Sequence, residues 1–229
     1  MKNQRNRRKF LAESSAGLSS IGLMGWAGLT AAESSLDEPA SFEASQAEWK
    51  SALRRLENLG IRYLNVLPDE GRFLNMLVRA SRAKRVLEIG SSYGYTSLWL
   101  AEALRATGGR LTSLEIDGER LNEARRHIRA AGLESWVTWH EGDAHELVPE
   151  LAGPFDLVYI DADKDGLEDY FSKLYPRKLT SGAFLIAHEA IGMRESMQGY
   201  LRLLKEHPAF ETAVVSVTLE DGFALSLRR

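Results

Sequence analysis

Three short apolar runs, each ending at a glycine or a carboxylate, constrain this chain more than any other feature. They are Val86-Leu-Glu-Ile-Gly90 with its continuation Ser91-Ser-Tyr-Gly94, Leu114-Glu-Ile-Asp117, and Tyr159-Ile-Asp-Ala-Asp-Lys164. Runs of this kind are the carboxyl ends of parallel strands buried on both faces, and ligands bind in the crevice above such ends. Around them the pattern alternates: strands are predicted at 85–89, 110–116, 136–140, 155–161 and 182–188, and helices at 95–106, 118–131, 145–151, 166–174 and 193–206. Alternation of this kind makes a mostly parallel sheet with helices on both faces. Two further strands, 212–217 and 223–227, are joined across Glu220-Asp221-Gly222 and read as an antiparallel hairpin. The expected fold is α/β and Rossmann-like, a seven-stranded sheet that is mostly parallel and closes on a C-terminal hairpin.

Two amphipathic helices precede the sheet. Trp49, Leu53, Leu56 and Leu59 recur at spacings of three and four, giving a helix over 42–59 that Ser41 caps and Gly60 stops. A second begins after Pro68, with Asp69 and Glu70 in the first turn, where the helix dipole favours acids, and Phe73, Leu74, Leu77 and Val78 on one face. Residues 33–40 form a polar linker without periodicity. Ahead of it, Asn6-Arg-Arg-Lys-Phe-Leu11 and a Gly/Ala/Ser-rich stretch from Ala16 to Ala32 have the form of a twin-arginine export signal. The stretch is short and weakly apolar for a membrane span. The expected organisation is a signal segment over 1–32, a linker over 33–40 and one catalytic domain over 41–229. A periplasmic or membrane-tethered product follows, with a cytoplasmic protein carrying a basic tail as the alternative.

The chain has no cysteine, which excludes disulfides and thiolate metal sites. The first 32 residues hold five basic side chains and one acidic one, leaving 24 basic against 31 acidic beyond them. That balance disfavours a nucleic-acid partner, because binding phosphates needs a basic field.

The glycine turn at Glu88-Ile-Gly90-Ser-Ser-Tyr-Gly94 joins a strand to a helix, where the backbone can approach a ligand and free N–H groups meet an anion. A dinucleotide fingerprint would read G-x-G-x-x-G, and Ser92 stands where its second glycine would be, which weakens a pyrophosphate reading. S-adenosylmethionine offers a small carboxylate and ammonium instead, which Gly90, the helix N-terminus and the Thr96 hydroxyl can receive. Glu115 ends the second strand, where a carboxylate accepts both ribose hydroxyls. Gly142-Asp-Ala-His145 follows the third strand, so that Asp143 either accepts from an exocyclic amine or caps the next helix. Asp161, Asp163 and Lys164 follow the fourth, and the buried run before them delivers Asp161 to the crevice. As a base, or as a cation stabilising an oxyanion, Lys164 would serve methyl transfer to oxygen. His188-Glu189 ends the fifth strand. With Asp161 the pair makes a mixed N/O cation site, or His188 is itself a general base with no metal present.

These residues resemble the cation-dependent small-molecule O-methyltransferases, the group of the catechol and caffeoyl-CoA O-methyltransferases. The resemblance runs from about Val66 to Leu227 and rests on Leu-Pro-Asp-Glu-Gly-Arg, Lys-Arg-Val-Leu-Glu-Ile-Gly-Ser-Ser-Tyr-Gly-Tyr-Thr-Ser, Glu-Ile-Asp, Phe-Asp-Leu-Val-Tyr-Ile-Asp-Ala-Asp-Lys and Asp-Gly-Phe-Ala-Leu-Ser. It implies transfer of a methyl group from S-adenosylmethionine to a hydroxyl of a small, phenolic or catechol-like acceptor, N-terminal helices that cap the site, and a homodimer. An N-methyltransferase and a non-catalytic cofactor-binding protein are the alternatives. The residues and the resemblance together give Glu88, Gly90, Ser92, Tyr95, Thr96, Glu115, Asp143, Ala144 and Asp161 as cofactor-binding candidates. Lys164, Asp161 and His188 are the candidates for the chemistry, and Asp161, His188 and Glu189 for a cation. At strand five the family's metal-binding Asp-Asn pair is matched by His188-Glu189. That leaves open both the need for a divalent cation, Mg²⁺ or Mn²⁺, and the vicinal-diol preference a bidentate metal imposes.

Overall fold

The computed structural model describes residues 39–60, 66–219 and 221–229. The signal expected at 1–32 and the linker up to residue 38 lie outside the described residues, and residues 39 and 40 already belong to the first helix. The elements run α1 (Pro39–Leu59), α2 (Pro68–Ser81), β1 (Arg85–Ile89), α3 (Tyr95–Thr107), β2 (Arg110–Glu115), α4 (Gly118–Ala130), β3 (Val137–Glu141), α5 (Ala144–Glu150), β4 (Phe155–Ile160), α6 (Leu167–Leu174), β5 (Leu179–Ala187), α7 (Gln198–Glu206), β6 (Phe210–Ser216) and β7 (Gly222–Arg228). The sheet has the order β3-β2-β1-β4-β5-β7-β6, with β7 antiparallel to both of its neighbours. The expected seven-stranded α/β sheet with a closing hairpin is the observed fold.

The apolar runs form strands because both faces of the sheet are covered. One layer of core packs Leu56, Leu74, Val78, Leu98 and Ile128 from α1 to α4 against Val86, Leu111 and Tyr159. The other packs Val148, Leu167, Tyr170, Leu174 and Leu204 from α5 to α7 against Leu87, Leu114 and Val158. Each fully buried Leu or Val stabilises the fold by roughly 1.5–3 kcal/mol. α2 starts where Pro68 presets its backbone, and Glu70 closes a capping box by accepting the Leu67 N–H at 2.8 Å. Among the described residues no helix is long and apolar enough to cross a membrane.

Register aligns the strand tips. Ile89 lies opposite Leu114 on one side and Ile160 on the other, and Ile160 lies opposite Ala187. The next residues, Gly90, Glu115, Asp161 and His188, therefore stand in one row at the point where strand order reverses between β1 and β4, the switch point at which open α/β sheets bind ligands. Backbone bonds continue past the strands, from Gly90 N–H to Leu114 O at 3.0 Å, Asp161 N–H to Ile89 O at 2.8 Å and His188 N–H to Ile160 O at 3.0 Å.

Besides the earlier start of α1, two elements depart from expectation. β5 starts at Leu179 rather than 182, because Leu179 pairs with Phe155 through an irregularity in register. The helix expected over 193–206 exists only as α7 from Gln198, with turns before it. Asp221, from the hairpin, accepts the Ile191 and Gly192 N–H groups at 3.2 Å each and holds that segment as a turn.

Candidate active site

Above the strand tips lies a cavity of about 740 Å³, in the size range of small-molecule sites. Of the residues singled out from the sequence, Gly90, Ser92, Glu115, Asp143, Ala144, Asp161 and Glu189 line it. At Gly90 (φ +88°) a Cβ would stand 2.3 Å from the Asp161 carbonyl oxygen, so only glycine lets the β1 turn pass this close to β4.

Glu115 is fixed by two backbone donors: Ser92 N–H gives to Oε2 at 2.7 Å and Asp117 N–H to Oε1 at 3.0 Å. Each oxygen keeps a further acceptor site, which suits the carboxylate to a pair of vicinal hydroxyls. Asp143 caps α5, accepting the His145 N–H at 2.8 Å, and lines the cavity as well, so the two readings of this residue are compatible. Glu88 is fully buried beneath the glycine turn. Its Oε2 accepts hydroxyls from Ser97 at 2.5 Å and Ser113 at 2.6 Å, while Oε1 has no hydrogen-bond partner. Burial pushes its carboxyl up to about 7 against the lowering effect of the two serines.

Three of the expected cofactor contacts, Glu88, Tyr95 and Thr96, do not line the cavity; Glu88 lies beneath its floor. The Tyr95 hydroxyl donates to Glu57 of α1 at 2.8 Å and its ring packs edge-on against Trp99, so this side chain ties α1 to α3 instead of facing the cavity. Thr96 is buried in the first turn of α3 and does not line the cavity. Residues that sequence reasoning passed over do line it: Ile116 and Arg120 on the β2 side, and Tyr170, stacked on His145 at 4.1 Å between ring centroids. Ile116 is 69% exposed, an isolated large aliphatic side chain just past a carboxylate at a strand tip, and that combination was the available signal.

On the far side of Asp161 the ionic groups converge. The buried Lys164 ammonium donates to Asp161 Oδ1 at 3.2 Å and to the Ala162 carbonyl at 3.0 Å, and pairs with Glu189 Oε2 at 2.9 Å. His188 stands between two carboxylates, with Nδ1 3.3 Å from Asp161 Oδ1 and Nε2 3.5 Å from Glu70 Oε1. Burial lowers the His188 pKa, but the hydrogen bonds and charges of Asp161 and Glu70 outweigh it and hold the imidazole up to about 9. Burial likewise raises Asp161, yet His188 and Lys164 together keep it below the usual carboxylate range. Glu70 reads in sequence as a first-turn acid and serves here as a buried partner of His188. Glu189 and Ser92 have φ of +63° and +49°, a strained conformation for non-glycine residues that clusters at functional sites.

The cavity fits S-adenosylmethionine. It is large enough, Glu115 offers a paired acceptor, and the buried Glu88 Oε1 and Ser91 Oγ beneath the turn lack partners. A divalent cation does not fit the expected donor set. Lys164 already joins Asp161 to Glu189, and the ring nitrogens of His188 face carboxylates. Among the described residues no cluster of His, Asp and Glu is arranged to hold a metal ion.

Comparison with known proteins agrees with this architecture. A family model described as O-methyltransferase matches residues 43–229. A catechol O-methyltransferase of Niastella koreensis is 39% identical over 196 residues, covering 77% of this chain and 88% of the relative. One from Mycobacterium tuberculosis is 34% identical over 213 residues, covering 84% and 90%. Among solved structures, the O-methyltransferase from Bacillus cereus in complex with SAH superposes with a TM-score of 0.68 at 26% identity, over 80% of this chain and 91% of that one. The Rossmann-like sheet with a ligand cavity at its switch point, taken with these matches, defines the class as a methyltransferase. The chain belongs to the O-methyltransferase family and is an enzyme that moves a methyl group to oxygen.

Proposed function

We propose that this enzyme transfers a methyl group from S-adenosylmethionine to one hydroxyl of a small phenolic or catechol-like acceptor. The observation that carries the reading is the double position of Asp161, which lines the cofactor cavity and holds the Lys164 ammonium on its Oδ1. Cofactor and acceptor sites thus meet at one carboxylate. When bound, S-adenosylmethionine would supply an electrophilic sulfonium methyl for the acceptor oxygen. Glu115 anchors the ribose hydroxyls, Glu88 and the Gly90 turn the amino-acid end, and Asp143, Ala144 and Ile116 the adenine. The ammonium of Lys164 would face the acceptor oxygen and stabilise the negative charge that develops there as the hydroxyl proton passes to water. Ile191 and Met193, exposed apolar side chains beyond Glu189, give an aromatic ring a surface to rest on. Most of the rate comes from holding donor and acceptor in line.

With labelled S-adenosylmethionine and a panel of phenols, amines and thiols, label is expected on the oxygen of phenols or catechols. Label on nitrogen, or cofactor binding with no transfer to any acceptor, would refute the reading.

We propose further that residues 1–32 are a twin-arginine signal that places the enzyme in the periplasm or tethers it to the membrane, and that it acts as a homodimer. Arg7-Arg8 before the Gly/Ala/Ser-rich stretch supports export. Fractionation of the native protein with N-terminal sequencing is expected to give an envelope-associated chain, and a cytosolic chain with intact Met1 would reject export.

A further inference from the structure

Lys164 and His188 lie within ion-pair distance of three carboxylates, Asp161, Glu70 and Glu189. Lys164 spans the two acids that a hard cation at the end of β4 and β5 would need, 3.2 Å from Asp161 Oδ1 and 2.9 Å from Glu189 Oε2. His188 has a carboxylate oxygen on each side, at 3.3 and 3.5 Å, and is almost wholly buried, as is Glu70. Each ring nitrogen of His188 thus faces a carboxylate oxygen, so neither is turned toward the space between Asp161 and Glu189 that Lys164 fills. Turning the ring toward a metal would break the 3.3 Å hydrogen bond of Nδ1 with Asp161 and move the ring away from Glu70. Glu70 cannot follow the ring, because its other oxygen caps α2 through the Leu67 N–H at 2.8 Å. A divalent ion placed between Asp161 and Glu189 would also meet the Lys164 ammonium at close range.

We propose that the positive charge a divalent ion would bring to the acceptor oxygen is built into this chain as Lys164, fixed by Asp161 and Glu189, with His188 holding Asp161 in place from the other side. Methyl transfer then needs no metal, and an acceptor with a single hydroxyl serves about as well as a vicinal pair. The inference rests on the reading that Lys164 faces the acceptor. Two of the three Lys164 partners, Asp161 and the Ala162 carbonyl, lie within three residues of it on the β4 tip. The third, Glu189, is a strained residue with a 41% exposed side chain. It is therefore the partner an acceptor displaces, which frees one N–H donor. A metal can hold two oxygens together, whereas one freed donor holds a single oxygen and leaves a neighbouring hydroxyl unrecognised.

The test uses the full chain with S-adenosylmethionine present, with Mn²⁺ as probe. Spectroscopy of free Mn²⁺ is expected to show no uptake by the native protein. The His188→Asp/Glu189→Asn double variant, which replaces the imidazole by a hard oxygen donor and releases Lys164 from Glu189, is expected to take up Mn²⁺. In parallel, methyl transfer should be unchanged by thorough chelation, and kcat/KM for a catechol and its single-hydroxyl analogue should agree within about tenfold, or 1.4 kcal/mol. Stoichiometric Mn²⁺ uptake by the native protein, with activity lost to chelator and restored by Mn²⁺, would overturn the proposal, as would a diol preference well beyond tenfold. If no acceptor is methylated, the functional reading fails, and Mn²⁺ uptake still decides the metal question separately.

Discussion

Replacing Lys164 by methionine is expected to lower kcat by about 10²–10⁴-fold while leaving the affinity for S-adenosylmethionine within about threefold of the parent, the scale of loss when one charge-stabilising or proton-transferring group is removed. Methionine keeps most of the length of the side chain and removes the ammonium. Asp161 loses one cation but keeps His188 at 3.3 Å, and Glu189 is exposed enough to turn into water. The fold should therefore survive, which a melting curve checks before kinetics are read. Cofactor affinity is insulated because the anchors assigned to the cofactor, Glu115 and the glycine turn, hold their geometry through backbone donors with no help from Lys164. Steady-state kinetics with calorimetry of cofactor binding separate the two effects. A variant with near-parental kcat would show that Lys164 does not act on the acceptor oxygen. A parallel collapse of cofactor affinity would assign it to holding the cofactor cavity open.

How far the site could be read from sequence follows from which contacts are local. The strand tips were legible because an apolar run that stops at Gly90, Glu115 or Asp161 records burial and a ligand-facing end in the same few residues. Register then does the rest, setting those tips in one row. Glu70 was legible only in part. Its place in the first turn of α2 explains Oε2 on the Leu67 N–H, whereas Oε1 meets a histidine more than a hundred residues along the chain. The start of α7 was misplaced for the same reason. Local pattern carries the helix back to residue 193, but the Ile191 and Gly192 N–H groups are captured by Asp221 across about thirty residues of chain. Tyr95 was placed by analogy in the cofactor site, and its hydroxyl goes to Glu57, on a helix that precedes the sheet. Local chemistry located the strand tips that line the cavity. The pairings of Lys164 and His188 run between α2, β4 and β5, and no local pattern records them.

Glu88 supplies the second large effect, and it concerns stability. Its carboxyl is raised from 4.5 to about 7 by burial, so the native state holds a proton that the unfolded chain releases as pH rises above 4.5. The stability from this group is complete below the unfolded value and is lost as pH rises through about 7, with little further change above it. Two to three pH units of displacement amount to about 3 kcal/mol. Urea unfolding of the cofactor-free protein between pH 4.5 and 8 should show that decline, and Glu88→Gln, which keeps the shape and cannot ionise, should lack it. His188, held up to about 9, adds a separate decline between 6.5 and 9 that both proteins share, so the Glu88 part is read as the difference between them. The same substitution is expected to weaken cofactor binding at neutral pH, because the ionised Oε1 that costs stability in the empty protein is the acceptor proposed for an ammonium group. An identical pH slope in the two proteins would remove Glu88 as its source. Undiminished cofactor affinity in the variant would remove it from the binding site. A carboxylate buried at the expense of stability and needed for the cofactor predicts that the variant is the more stable protein at pH 8 and the poorer enzyme.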